Sequence, residues 1–252
     1  MNNSKLKWWK KVVFAIVASI FLSFITSPSV SLPHSSSQLS SAQVHPLPDF
    51  LANWQDESHS GDYFDRVTST PLGYLIWSQF PVKVYLEKPT EITNSASDRR
   101  FQQWTTTIRE AIAQWNDYLP LVEIEAPETA DIIILRSQPK REIKRNPDTG
   151  LYDIPRAIAA QTNYEFYLTT DSPPVVAHKM TVQINPASVG RSLLATARHE
   201  LGHALGIWGH SPDITDALYY SQVRDPLPIS ARDINTLKKI YQQPTKLGWK
   251  ID

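Results

Sequence analysis

The sequence predicts an α+β fold, on three observations. Five short stretches, within residues 82–86, 121–125, 131–135, 157–170 and 175–184, alternate apolar with polar residues or are rich in β-branched and aromatic ones. Between the first and second of these, apolar residues recur every three or four positions over a long helix. After the last, a second helical pattern carries H-E-x-x-H on the face away from its apolar stripe.

Taken in order, residues 1–31 read as a signal peptide or signal anchor. Lys5, Lys7, Lys10 and Lys11 precede an apolar run from Val12 to Ile25, broken only by Ser19 and Ser23. That run is short for a membrane span of about 20 residues and suits the h-region of an export signal. Small residues follow without a clean A-x-A site, so cleavage and an uncleaved anchor both stay open, and the remainder is expected to be exported. Residues 32–71, rich in Ser, Pro, His and Asp, read as a linker or loosely packed pro-like segment, with His34, His45 and His59 as solvated side chains.

The folded domain is expected over 72–252. Val82, Val84 and Leu86 alternate with Lys83 and Tyr85 as a first strand. Phe101, Trp104, Ile108, Ile112 and Trp115 line one face of the long helix, with Ser97 or Asp98 as its cap. Strands follow at 121–125 and 131–135, then a polar, basic surface loop over 139–153, then two longer strands at 157–170 and 175–184. His178, in the last strand, reads as a packed or hydrogen-bonded histidine. The second helix starts near Ser192. A final helix is capped by Ser230 with Asp233 at N3, and Ile234, Leu237 and Tyr241 share one face.

Composition excludes several classes. Lys plus Arg and Asp plus Glu each number 25, which gives no support to a nucleic-acid partner, a reading that would lean on a basic surface. There are no cysteines, which excludes disulfides, thiolate zinc ligands and a cysteine nucleophile. No phosphate-binding glycine loop and no internal repeat is present. A monomer is expected, meeting a membrane only through an uncleaved N-terminal anchor.

The chemistry lies in HELGHALGIWGH, His199 to His210. On a helix, His199 and His203 sit one turn apart, about 6 Å along the axis, and can grip one metal ion. Glu200 lies about 100° further round, where it can act as a general base toward a metal-bound water without being a ligand. Leu193, Leu194, Ala197, Leu201, Ala204 and Leu205 form the apolar stripe. Gly206 can end the helix in a left-handed conformation, letting His210 return as third ligand. Three protein ligands leave the fourth position of zinc open, as catalysis needs. Asp213 and Asp216 are the alternative third ligands.

This stretch resembles the metzincin zinc endopeptidases, whose motif is H-E-x-x-H-x-x-G-x-x-H with a methionine turn downstream. The order of elements resembles the matrixin branch, as do Ala113-Gln114-Trp115-Asn116, Leu119-Pro120-Leu121 and Ala130-Asp131-Ile132. The chain departs twice. Ile207, Trp208 and Gly209 intervene before His210, one residue more than usual, and Leu218 stands where matrixins place the methionine. The resemblance, over roughly 72–245, implies a twisted mixed five-stranded sheet packed on a long helix and an active-site helix, with a short C-terminal subdomain ending in a helix. It implies Zn2+ on His199, His203 and His210, Glu200 as general base, and a peptide or protein substrate laid along a rim strand within 157–184. Tyr219 or Tyr220 could approach the metal, as a tyrosine does in some metzincins. The gluzincin arrangement fails, because no glutamate follows Glu200. The competing expectation is an exported or membrane-anchored binding module with a structural zinc and no turnover.

Overall fold

The computed structural model describes residues 39–90, 93, 95–140, 144–145, 152–153, 159–221 and 228–251. The export signal read at 1–31 lies outside them. Among the described residues no helix is long and apolar enough to cross a membrane.

The five strands are β1 (Val82–Leu86), β2 (Leu121–Ile124), β3 (Ile132–Leu135), β6 (Ala160–Leu168) and β7 (Val176–Ile184). They form one sheet in the order β2-β1-β3-β7-β6. β1 runs parallel to β2 and β3, β3 runs parallel to β7, and β6 runs antiparallel to β7 with Ala160 opposite Ile184. The sheet is therefore mixed, and among the described residues β6 is an edge strand. Two short strands, β4 (Lys144–Arg145) and β5 (Tyr152–Asp153), pair with each other inside the stretch expected as a loop. Along β7, Val176, His178, Met180, Val182 and Ile184 are buried while the residues between them are half-buried, so the face carrying them is the one packed on the core.

Helix α1 (Asp49–Asn53) lies in the N-terminal segment, α2 (Ala96–Asn116) between β1 and β2, α3 (Gly190–Ala204) after β7, and α4 (Ala231–Tyr241) in the C-terminal part. α2 buries Trp104, Ile108, Ile112 and Trp115 of the expected stripe, with Ala111 beside them, and leaves Phe101 half-buried. Its cap is Ser95 rather than Ser97 or Asp98. Asp98 is the N3 residue of a capping box: the Ser95 hydroxyl accepts from the Asp98 N–H and the Asp98 carboxylate accepts from the Ser95 N–H. α4 has the box expected of Ser230 and Asp233.

Residues 39–71 are packed rather than loose. Leu51 and Tyr63 are fully buried in the same core as the sheet and helices. Trp54 Nε1 donates to Asn235 Oδ1 at 2.9 Å, and Lys238 Nζ donates to the Trp54 carbonyl at 2.9 Å. Gln43 pairs with Thr245, and Val67 pairs with Gly209. His45, expected to be solvated, stacks on Trp249 and bonds the Leu247 carbonyl. The segment has no clear period because α4 and the C-terminal tail anchor it through isolated contacts rather than as a repeating face.

Candidate metal centre

α3 is fixed by hydrogen bonds from its neighbours. The indole of Trp115 on α2 donates to the Arg198 carbonyl at 2.9 Å. Near the C-terminal end, where helix carbonyls lack internal partners, Trp77 Nε1 donates to Ala204 O at 3.0 Å and Tyr241 OH to Leu205 O at 3.1 Å. The helix begins two residues earlier than expected and is buried throughout Thr196–Ala204, including the face that carries the histidines. Gly206 takes a φ of +123°, and the chain reverses there.

The reversal orients the imidazoles. His203 Nδ1 donates to the Ile207 carbonyl at 2.7 Å, and His199 Nδ1 donates to the Ala217 carbonyl at 3.0 Å. A neutral imidazole that donates through Nδ1 carries a lone pair on Nε2. The two Nε2 atoms lie 3.1 Å apart, so two lone pairs face each other. A shared cation between them resolves that clash. His210 brings a third ring within 5.2 Å of His199 and 4.9 Å of His203, centroid to centroid, and its Nε2 is buried without a hydrogen-bond partner. One nitrogen from each ring lies within 4.8 Å of the others. Tetrahedral zinc, with Zn–N near 2.0–2.1 Å, asks for nitrogens about 3.3 Å apart. The donor set fits zinc.

Burial also sets the charge. It pushes His199 down to about 3, helped by His210 and opposed by the bond to Ala217. Burial lowers His203 and His210 as well. Three neutral imidazoles are what a metal requires.

Glu200 is buried beside them, and burial raises its carboxyl to about 7. Thr162, on the edge strand β6, donates to Glu200 Oε2 at 2.6 Å. The other oxygen, Oε1, is buried with no partner. One oxygen is thus anchored and the other is available. Sequence reasoning missed Thr162. Its strand was expected, but the register that sets it against Glu200 is a tertiary fact.

The aspartates are engaged elsewhere. Asp216 accepts from Ser211, from Ser230 at 2.7 Å and from Arg232 at 3.0 Å. Asp213 accepts from the Thr215 N–H and hydroxyl. Tyr219 and Tyr220 pack on each other, and Tyr220 is exposed. His178 stacks on Trp77. Leu218 is fully buried beneath α3, so close that a Cβ on Gly202 would meet its Cδ2 at 2.5 Å. The extra residue before His210 has a local explanation too. Thr68 N–H donates to the Trp208 carbonyl at 2.9 Å, and a side chain at 209 would collide with the Arg66 carbonyl. The lengthened loop is where the N-terminal segment crosses, and glycine allows the crossing.

A mixed sheet with one antiparallel edge strand, an H-E-x-x-H helix beneath it and a third histidine beyond a glycine define a metzincin-type zinc peptidase domain. The family model for Matrixin matches residues 88–242, more than half of the chain, and the chain belongs to that family of zinc metallopeptidases. The comparison with curated proteins gives no match.

Proposed function

We propose that this protein is an exported zinc endopeptidase in which His199, His203 and His210 hold the metal and Glu200 is the general base. One observation carries the reading. Glu200 sits beside the three histidines with Oε2 tied to Thr162 and Oε1 unpartnered. A purely structural zinc gains nothing from a buried carboxylate with a free oxygen, so turnover is favoured over a silent binding module.

Zinc, when bound, lowers the pKa of water to about 7 and polarises the scissile carbonyl. Glu200 Oε1 takes a proton from the attacking water. The water oxygen bonds to the carbonyl carbon, Glu200 passes the proton to the leaving nitrogen, and the C–N bond breaks. Thr162 keeps the carboxylate turned toward the reacting atoms throughout. β6 is the last strand of the sheet and lies next to Glu200, so an extended peptide can add there as a further strand. Export rests on the lysine-flanked apolar run at residues 12–25 and on the family.

The test is cleavage of a peptide library by the full chain, with and without chelator. Cleavage that chelator abolishes and zinc restores is expected. Stoichiometric zinc without any cleavage would leave the binding module as the better account.

A further inference from the structure

The peptide unit between Ala217 and Leu218 is held at both ends. Its carbonyl accepts from His199 Nδ1 at 3.0 Å, and its N–H points to Asp233 Oδ1 at 3.4 Å. The preceding N–H, of Ala217, donates to Asp233 Oδ2 at 2.9 Å. Asp233 thus fixes the carbonyl that fixes the tautomer and ring orientation of His199. A buried carboxylate can do this only if it cannot rotate. Oδ2 also accepts from the Ser230 N–H at 2.8 Å, as the capping box requires. Oδ1 is held by a single strong donor, the hydroxyl of Tyr63, at 2.5 Å.

Tyr63 comes from the N-terminal segment, 170 residues away in sequence from Asp233. It is placed with care. Its ring is fully buried, and its own N–H donates to Thr236 Oγ1 on α4 at 3.0 Å. Arg232 lies over the ring at 5.9 Å. A few residues on, the same segment bonds Trp208 and pairs with Gly209, beside His210. Two of the three imidazoles therefore depend on residues 63–68 for their surroundings.

We propose that Tyr63 is a positioning residue for the metal centre, acting through Asp233 and the Ala217 carbonyl on His199. The segment carrying it belongs to the working peptidase rather than to a removable pro-piece. The proposal rests on His199 being a zinc ligand. A group that accepts directly from a ligating histidine is worth roughly 10- to 100-fold in metal affinity, and Tyr63 acts two contacts behind such a group.

The test compares Tyr63→Phe with Leu51→Ala in the full chain. Both residues are fully buried in the N-terminal segment, but the Leu51 side chain has no donor to offer Asp233. Zinc affinity is read by competition with a chromogenic chelator, at a temperature where circular dichroism shows both variants folded. Tyr63→Phe should weaken zinc by about 3- to 10-fold, less than loss of a direct partner. Leu51→Ala should lower the melting temperature yet keep affinity within about twofold of the parent. Unchanged zinc affinity in Tyr63→Phe overturns the proposal, as does equal weakening by Leu51→Ala, which would mean general loosening. A full-chain Asp233→Ala variant that binds zinc as tightly as the parent also overturns it, whether or not Tyr63→Phe folds. His199→Ala separates the two levels: if it keeps full affinity, the ligand assignment fails and the proposal falls with it, whereas loss of affinity in His199→Ala with none in Tyr63→Phe overturns the role of Tyr63 alone.

Discussion

Thr162 Oγ1 lies 2.6 Å from Glu200 Oε2 and 3.2 Å from the Glu200 carbonyl oxygen. A hydroxyl has one proton to give, and the shorter contact takes it. In the proposed function, the edge strand that would receive substrate therefore also steadies the carboxylate assigned as base, and a shift of that strand would be felt there.

Thr162→Val keeps the branched shape and removes the donor. A hydrogen bond to a charged group is worth about 1.5–3 kcal/mol, so kcat should fall by about 10-fold or more with KM little changed. Thr162→Ser should restore most of the rate. Steady-state kinetics on one peptide would read this, and a valine variant with the parent's kcat would remove Thr162 from the account.

The metal-free protein should respond to pH in two opposed ways, both caused by burial. His199 has a folded pKa of about 3 against an ordinary 6.5, so its contribution to stability is present above about 6.5 and is lost as pH falls toward 3. Glu200 has a folded pKa of about 7 against an ordinary 4.5, so its contribution is full below about 4.5 and is lost as pH rises through 7. Glu200→Gln removes the second effect alone. In chelator, it should raise the melting temperature relative to the parent near pH 8 and not near pH 4, the two ends of that linkage window. An equal difference at both pH values would mean that Glu200 is not buried as described.

Leu218 is fully buried against Gly202 of α3, eight residues after His210, where the resemblance to matrixins would place a methionine. Leu218→Met roughly conserves volume and should change stability by less than about 1.5 kcal/mol, with activity within a few-fold. Gly202→Ala should cost more, because its new methyl would lie 2.5 Å from Leu218 Cδ2 and 3.1 Å from Trp115 Cζ2. Chemical denaturation of the two variants checks the order. A large gain in activity on Leu218→Met would show that leucine had impaired the centre.

The parts of this protein that repeat were readable in its sequence, and the parts that meet only once were not. The stripe on α2, the alternation along β1 and the capping box of α4 are each set by neighbours a few residues away. The metal motif is local as well, since a helix brings His199 to His203 unaided. By contrast, Thr162 meets Glu200 across 38 residues and Tyr63 meets Asp233 across 170, and no periodicity announces either. The segment at 39–71 looked loose for the same reason. Its order comes from single long-range contacts such as Trp54 with Asn235. The Ser95 cap was within reach of the sequence, since only Ser95 stands three residues before Asp98, and Ser97 falls inside the first turn of α2.

The third ligand is open to direct test. His210→Ala should weaken zinc strongly, since a three-ligand site becomes a two-ligand one. Asp213→Ala should leave zinc affinity near that of the parent, because its carboxylate faces Thr215 in an exposed turn. Isothermal titration with zinc decides. Full affinity in His210→Ala with loss in an aspartate variant would place the third ligand elsewhere.

The central claim is that the histidines bind and Glu200 reacts. Measuring zinc content and peptide turnover together on Glu200→Gln tests it most directly. The amide keeps the side chain's shape and removes its basicity. Zinc should stay near one per chain, while turnover falls by roughly 10²-fold or more, the scale of a lost acid–base group. A Glu200→Gln protein that cleaves peptide as fast as the parent, with zinc bound, would contradict the account.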